Sequence, residues 1–221
     1  MYVCVVQIRR CRYETTCYYS NCYIYLLIIL TLYQILVSNR QELFDKRIEN
    51  YSIVSGLVKL YEDNREDFND EYEGFFSIID LKFWYLTNNP YLNEISNTIN
   101  DPMNDDYRKK FLLKLEELKA IADISTFLYK GKYGEYIKDF VLSYVEVLFE
   151  MFKYKLFLIR KASSSSKGPT YEKNLNDSEK KKKDKLRIII RNLDRAYEVL
   201  VDENVDKKIK KQIKIFKICK R

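Results

Sequence analysis

The side chains able to do chemistry in this chain are thiols, carboxylates, lysines and two glycosylation sequons; histidine is absent. Its absence removes histidine-based triads, imidazole general bases and imidazole metal ligands at once. Cys4, Cys11, Cys17 and Cys22 lie before or at the start of a hydrophobic run, and Cys219 lies near the C-terminus. Their spacings match no zinc site, and no cysteine falls between Cys22 and Cys219 to build an internal disulfide framework. The two readings left are S-acylation beside a membrane, which needs a thiol at the interface, and incidental thiols. Asp105-Asp106 and Glu116-Glu117 are paired acids. Neighbouring residues on a helix diverge, so neither pair can share a proton, and both read as solvated surface. Lys130-Gly131-Lys132-Tyr133-Gly134 holds Gly and Lys but lacks the spacing of a phosphate loop and the Ser or Thr that follows its lysine; it reads as a turn. No catalytic, cofactor-binding or metal-ligating residue is assigned.

Asn50-Tyr51-Ser52 and Asn176-Asp177-Ser178 are N-glycosylation sequons, usable only in a lumenal compartment. Asn50 falls in an expected helix and Asn176 in an expected linker. The serine run 163–166 could instead be phosphorylated in a cytosolic protein. Near the C-terminus Lys207, Lys208, Lys210, Lys211, Lys214 and Lys217 lie opposite Val205, Ile209, Ile213 and Phe216. Such a basic amphipathic helix can lie on an anionic membrane, or it can bury its apolar face in a bundle and leave its lysines in water. Nucleic acid is the weaker partner, because no aromatic-basic interleaving accompanies the lysines.

The elements that must position these residues are organised around Tyr23-Ile24-Tyr25-Leu26-Leu27-Ile28-Ile29-Leu30-Thr31-Leu32-Tyr33-Gln34-Ile35-Leu36-Val37, which no charge interrupts. Within it Tyr23, Leu26, Leu27, Ile28, Ile29, Leu30, Leu32, Ile35, Leu36 and Val37 form the candidate membrane segment. Arg9, Arg10 and Arg12 precede it, as in the basic region of a signal sequence, and favour a cytoplasmic N-terminus. The run is short of the roughly 20 residues a spanning helix needs, and a small residue follows it at one position only, Ser38. It therefore reads as a signal or signal anchor, with a buried core helix of a cytosolic bundle as the alternative and peripheral attachment as a third reading. Tyr25 and Tyr33 suit an interfacial belt.

The length of 221 residues allows one domain plus tails. Tyr (20) and Phe (12) supply core volume, while Gly (5) and Pro (3) are scarce. The net charge of +7 hides a division: residues 1–40 carry +3, residues 41–160 carry −6, and residues 161–221 carry +10. The expected layout is a basic region with signal or anchor over 1–38, an acidic helical domain over 41–160, a flexible Ser/Lys-rich linker over 161–185, and a basic helical hairpin over 186–221.

Helical spacing runs through the rest. Phe44, Ile48, Tyr51, Val54, Val58 and Tyr61 mark one helix, expected to break at the charge cluster 62–67. Tyr72, Phe75, Phe76, Ile79, Phe83 and Leu86 mark a second, expected to start near Asn69 or Asp70; Asp70 has capping-box spacing to Glu73. Leu92, Ile95 and Ile99 mark a short one after Pro90. Asp101-Pro102 predicts the start of a helix through Phe127-Leu128. Residues 133–160 form the longest candidate and the expected centre of the bundle. No strand-like alternation and no repeat occurs, so the fold class is all-α, an irregular multi-helix bundle.

The hydrophobic segment set in from the N-terminus, followed by a helical domain of AT-biased composition, is similar in layout to exported and surface proteins of apicomplexan parasites. No export pentamer of the Arg-x-Leu-x-acid type follows near Arg40. The resemblance implies export or surface display. Together these features lead to the expectation of a non-enzymatic helical binding protein with an unidentified protein partner, secreted or membrane-anchored through the secretory pathway. The alternative is a cytosolic scaffold with residues 23–37 in its core. The least favoured reading is an enzyme using carboxylate and lysine chemistry.

Overall fold

The computed structural model describes the backbone of residues 2–69, 76, 78–163 and 169–214, and side chains over 23–68, 76, 78–163 and 173–213. The described residues hold α1 (Tyr2–Asn69), α2 (Ile79–Thr87), a 3-10 helix (Asn93–Ile99), α3 (Asp105–Leu128), α4 (Tyr133–Ala162), α5 (Pro169–Asp202) and α6 (Val205–Lys214), with no strand among them. The protein is an all-α multi-helix bundle. The chain divides into two units, Met1–Asp45 and Lys46–Arg221.

The first unit is helical from Tyr2. Its hydrophobic run is exposed from Tyr23 to Leu36, with Tyr23 at 73% and Ile29 at 66% exposure, and Val37 is half-buried. The core of the second unit is built from its own side chains, Val54 to Ile209.

The second unit is built around α4. Its inward residues span more than one face: Phe140, Val141, Tyr144, Val145, Leu148 and Met151 are all buried. A helix apolar over that much of its circumference must be covered by several others. Tyr144 donates its hydroxyl hydrogen to the Leu86 carbonyl in α2 at 2.6 Å. The Phe140 ring meets Tyr61 of α1 edge-on at 6.2 Å, and Phe152 meets Phe111 of α3 at 4.8 Å. Glu150 on α4 accepts from Lys185 of α5 at 2.8 Å. At the start of α4, Gly134 lies so close to α3 that an added Cβ would come within 2.6 Å of the Ser125 carbonyl oxygen.

Four local expectations are corrected. Helix α1 does not break at residues 62–67 but continues to Asn69. No Gly or Pro occurs there. Tyr61 and Phe68, seven residues apart, are both buried, so the charges fall on the outer side, and Arg65 bonds Asp194 at 2.6 Å and Glu198 at 2.8 Å on α5. The second correction concerns the linker. From Pro169 onward it is the first half of α5. Its lysines have partners that hold them: Lys183 pairs with Glu179 at 2.8 Å one turn away, Glu179 also takes Lys161 of α4 at 2.5 Å, and Lys182 lies over the Phe157 ring at 5.5 Å. Composition suggested a chain unable to offset its ordering entropy, whereas pairing to α4 and a proline at the first helical position favour the helix.

Third, α3 is capped by Asn104, not Asp101: the Asn104 side chain accepts from the Asp106 and Tyr107 amides at 3.0 and 3.2 Å. Fourth, the short element after Pro90 is a 3-10 helix. The expected start of the second helix at Asp70 lies outside the described residues. The turn at Lys130-Gly131 is as expected from a glycine, with Gly131 at φ +75°, and Asn204 takes a left-handed φ of 50° between α5 and α6.

Candidate functional site

Among the described residues of the second unit, a groove of about 440 Å³ lies between α1, α5 and α6. Helical spacing creates it. Val54 and Val58 of α1, Tyr197 and Leu200 of α5, and Val205 and Ile209 of α6 supply an apolar floor, and charged residues of both signs form the rim. One polar cluster spans α1 and α6. Tyr51 donates to Asp206 at 2.6 Å, and Lys210 donates to the other oxygen of Asp206 at 2.8 Å. Burial pushes the Asp206 carboxyl up, but the bonds from Lys210 and Tyr51 outweigh it and hold it below its ordinary range. Deeper, Tyr61 donates to Asp194 at 3.0 Å; burial and the Asp194 charge raise its phenol.

The electrostatics of the second unit run one way. Tyr61, Tyr91, Tyr129, Tyr144, Tyr154 and Tyr197 are all raised, in each case first by burial. Glu179 is lowered to about 2 by its bonds to Lys161 and Lys183. In Glu150, burial is overcome by the bonds from Lys153 and Lys185. Lys138 is raised by its bond to Asp123, and Lys114 is raised because Glu117 and Glu94 outweigh its burial. A general base needs a carboxylate raised toward neutrality, and a nucleophilic lysine needs a lowered pKa. Each of these shifts stabilises the resting ionisation instead, as in structural ion pairs. The adjacent acids Asp105-Asp106 and Glu116-Glu117 are exposed: Asp105 takes Arg108 at 2.6 Å and Glu116 takes Lys119 at 2.7 Å. Among the described residues no three Cys, Asp or Glu side chains converge on a metal-sized site.

The expected contact residues are placed as follows. The helix carrying Lys207, Lys208, Lys210 and Lys211 buries Val205 and Ile209 in the bundle, and those four lysines are exposed. Its apolar face is therefore occupied. Val205 and Ile209 are thus taken up by the bundle, and the four exposed lysines are what α6 offers an anionic surface. The Lys214 side chain and Lys217 lie outside the described residues.

The sequons separate. Asn176 is exposed on α5, where its side-chain oxygen accepts from Lys161 at 2.7 Å. Asn50 is 5% exposed. Its amide donates to the Ile121 carbonyl at 3.1 Å, and its oxygen accepts from the Ser125 hydroxyl at 3.2 Å. A glycan on that nitrogen is incompatible with this packing, which corrects Asn50 as a modification site. Asn50 belongs to a buried polar cluster that sequence reading missed. Beside it, Arg47 donates from Nε to the Leu128 carbonyl at 2.8 Å, and Tyr129 returns a bond to the Arg47 carbonyl at 3.0 Å. Together these tie the start of the bundle segment of α1 to the end of α3.

In the first unit the expected membrane residues Tyr23, Leu26, Leu27, Ile28, Ile29, Leu30, Leu32, Ile35 and Leu36 lie exposed on one helix. That helix is long and apolar enough to cross a membrane, by length and composition. Neither a protein-family model, nor a curated protein, nor a solved structure matches this chain.

Proposed function

We infer that the chain is a non-enzymatic binding protein held at a membrane by residues 23–37, with the bundle of residues 46–214 as its recognition domain. The carrying observation is the apolar run in α1, exposed without a break from Tyr23 to Leu36, whereas the large apolar side chains exposed elsewhere are scattered over a bundle that closes its own core. Leaving so many aliphatic side chains in water costs about 1.5–3 kcal/mol for each that could otherwise be buried, so a second apolar phase is the natural partner. The run then acts as a signal anchor or uncleaved signal in the secretory pathway. The groove between α1, α5 and α6 is the surface suited to a protein partner, because its apolar floor and mixed-charge rim match interface composition. The resting ionisation of its groups favours binding over catalysis.

The test is extraction of membranes from cells expressing the full chain. Alkaline carbonate should leave the protein in the membrane pellet, and substituting Leu27, Ile29 and Leu30 by Gln should move it to the supernatant. Complete release of the unsubstituted protein by carbonate would refute the anchored reading.

A further inference from the structure

Among the described residues Phe127 is the most exposed large hydrophobic side chain of the bundle, at 86%. It stands at the C-terminal end of α3, one turn after the exposed Ile124 and directly before Leu128, whose carbonyl accepts from Arg47, and Tyr129, whose hydroxyl donates to the Arg47 carbonyl. The turn after it presents Lys130 and Lys132, both exposed. The end of α6 meets the same turn, where Gln212 accepts from the Lys130 amide at 2.8 Å and donates to its carbonyl at 3.2 Å. The exposed Lys211 is next to Gln212. One corner of the bundle therefore joins a bare aromatic ring, an aliphatic neighbour and several ammonium groups.

That corner is also where the bundle begins in sequence. Arg47 is the second residue of the unit and lies ten positions after Val37, the last of the apolar run. Whatever path those residues take, the chain bridges about 15 Å if helical and at most about 36 Å if fully extended. The corner is thus tethered within reach of whatever surface the apolar run enters. A ring flanked by lysines is the chemistry of the headgroup layer. The ring sits at the boundary of acyl chains and headgroups, and ammonium groups reach lipid phosphates while their stems cover apolar surface.

We propose that the corner formed by Phe127, Ile124, Lys130 and Lys132 docks on the phospholipid headgroup layer of the membrane that holds residues 23–37, with Phe127 inserted. This rests on the anchored reading above. Docking turns the bundle's opposite surfaces outward. It differs from the lysine-rich face of α6 in supplying an open apolar group, which α6 no longer has.

The experiment uses the full chain with Trp84→Phe and Phe127→Trp, leaving one indole, reconstituted into phosphatidylcholine vesicles with or without brominated acyl chains. Flotation reports anchoring and the indole reports docking. The expected result is flotation, a blue-shifted emission relative to detergent, and quenching by the brominated lipid. Adding Lys130→Glu and Lys132→Glu should return the emission toward the red and reduce that quenching while flotation persists. Flotation with an indole that stays red and unquenched overturns docking and leaves anchoring intact. Quenching unchanged by the two charge reversals overturns the role of the lysines. Failure to float overturns anchoring and docking together. Circular dichroism of each variant must match the parent, and Phe127→Ser, a surface change, serves as a second variant: it should float and lose the vesicle-dependent protection of Lys130 and Lys132 from trypsin.

Discussion

At the scale of single residues, charge and buried polarity hold α1, α3, α4 and α5 together. Glu179 accepts from Lys161 of α4 and Lys183 of its own helix, and these bonds hold its carboxyl at about 2 against an ordinary 4.5. A carboxyl lowered in the folded state stabilises the fold above its unfolded pKa and stops doing so as pH falls through its folded value. The contribution of Glu179 is thus complete above about pH 4.5 and lost between there and about pH 2. Thermal melts of Glu179→Gln should lie below those of the parent at pH 7 and converge with them near pH 2; a constant gap would refute the linkage. The cluster of Asn50 with Ser125 and Ile121 gives a second expectation. Asn50→Ala removes the bonds to the Ile121 carbonyl and the Ser125 hydroxyl, which keep their own bond at 2.8 Å, at a cost of about 0.5–1.5 kcal/mol for each bond lost, read as a lower urea midpoint. Helical periodicity found the apolar face of α1 but not this cluster. Arg47, Asn50, Val54, Leu57 and Tyr61 step by three or four and all are buried. Counting only apolar residues drew the stripe through Ile48, which is 43% exposed. The spacing held the signal, but the types at its first two positions concealed it, because a buried polar residue needs partners supplied by α3, far along the chain.

Among elements, what the sequence shows is helix existence and centrality, and what it hides is where helices start and stop. The apolar positions of α4 step helically for its whole length, so both its extent and its burial could be read directly. Its approach to α3 could not. Gly134 permits a contact where an added Cβ would lie 2.8 Å from the Thr126 Cα, a backbone atom that cannot swing away. Gly134→Ala should destabilise the bundle even though alanine is the better helix former, because relieving the clash moves one helix off the other. Asn104→Ala should remove the cap of α3 and lower stability by about 1 kcal/mol in the same measurement. The lysine tract was hidden for a different reason: its partners, Glu179 excepted, sit on other elements. Lys182 and Lys183 lie over the rings of Phe157 and Phe76, and Lys185 reaches Glu150. Brief trypsin digestion should therefore spare Lys180–Lys183 relative to Lys130 and Lys132, since a protease needs an extended segment and a packed helix does not present one. Early cleavage within the tract would mean that α5 begins later than Pro169.

For the whole molecule the question is which residues the bundle needs. The core runs from Val54 to Ile209 and draws on every described element except the first unit. The division of the chain at Asp45 and Lys46 places the start of the folded unit just ahead of Arg47, whose bond to the Leu128 carbonyl fastens the end of α3. If the run 23–37 were core, deleting it would remove several buried aliphatic side chains at about 1.5–3 kcal/mol each, enough to exceed the 5–15 kcal/mol that holds a typical domain. Residues 23–36 are exposed, so their removal takes away little buried area and the bundle should not feel it. A fragment of residues 39–221 should stay soluble, keep its helical circular dichroism and unfold in one cooperative transition. Further trimming to residue 48 removes Arg47, exposes the end of α3 and should lower the midpoint. Loss of cooperativity in the 39–221 fragment would show that the apolar run supports the fold, and the second apolar phase invoked for it would no longer be required.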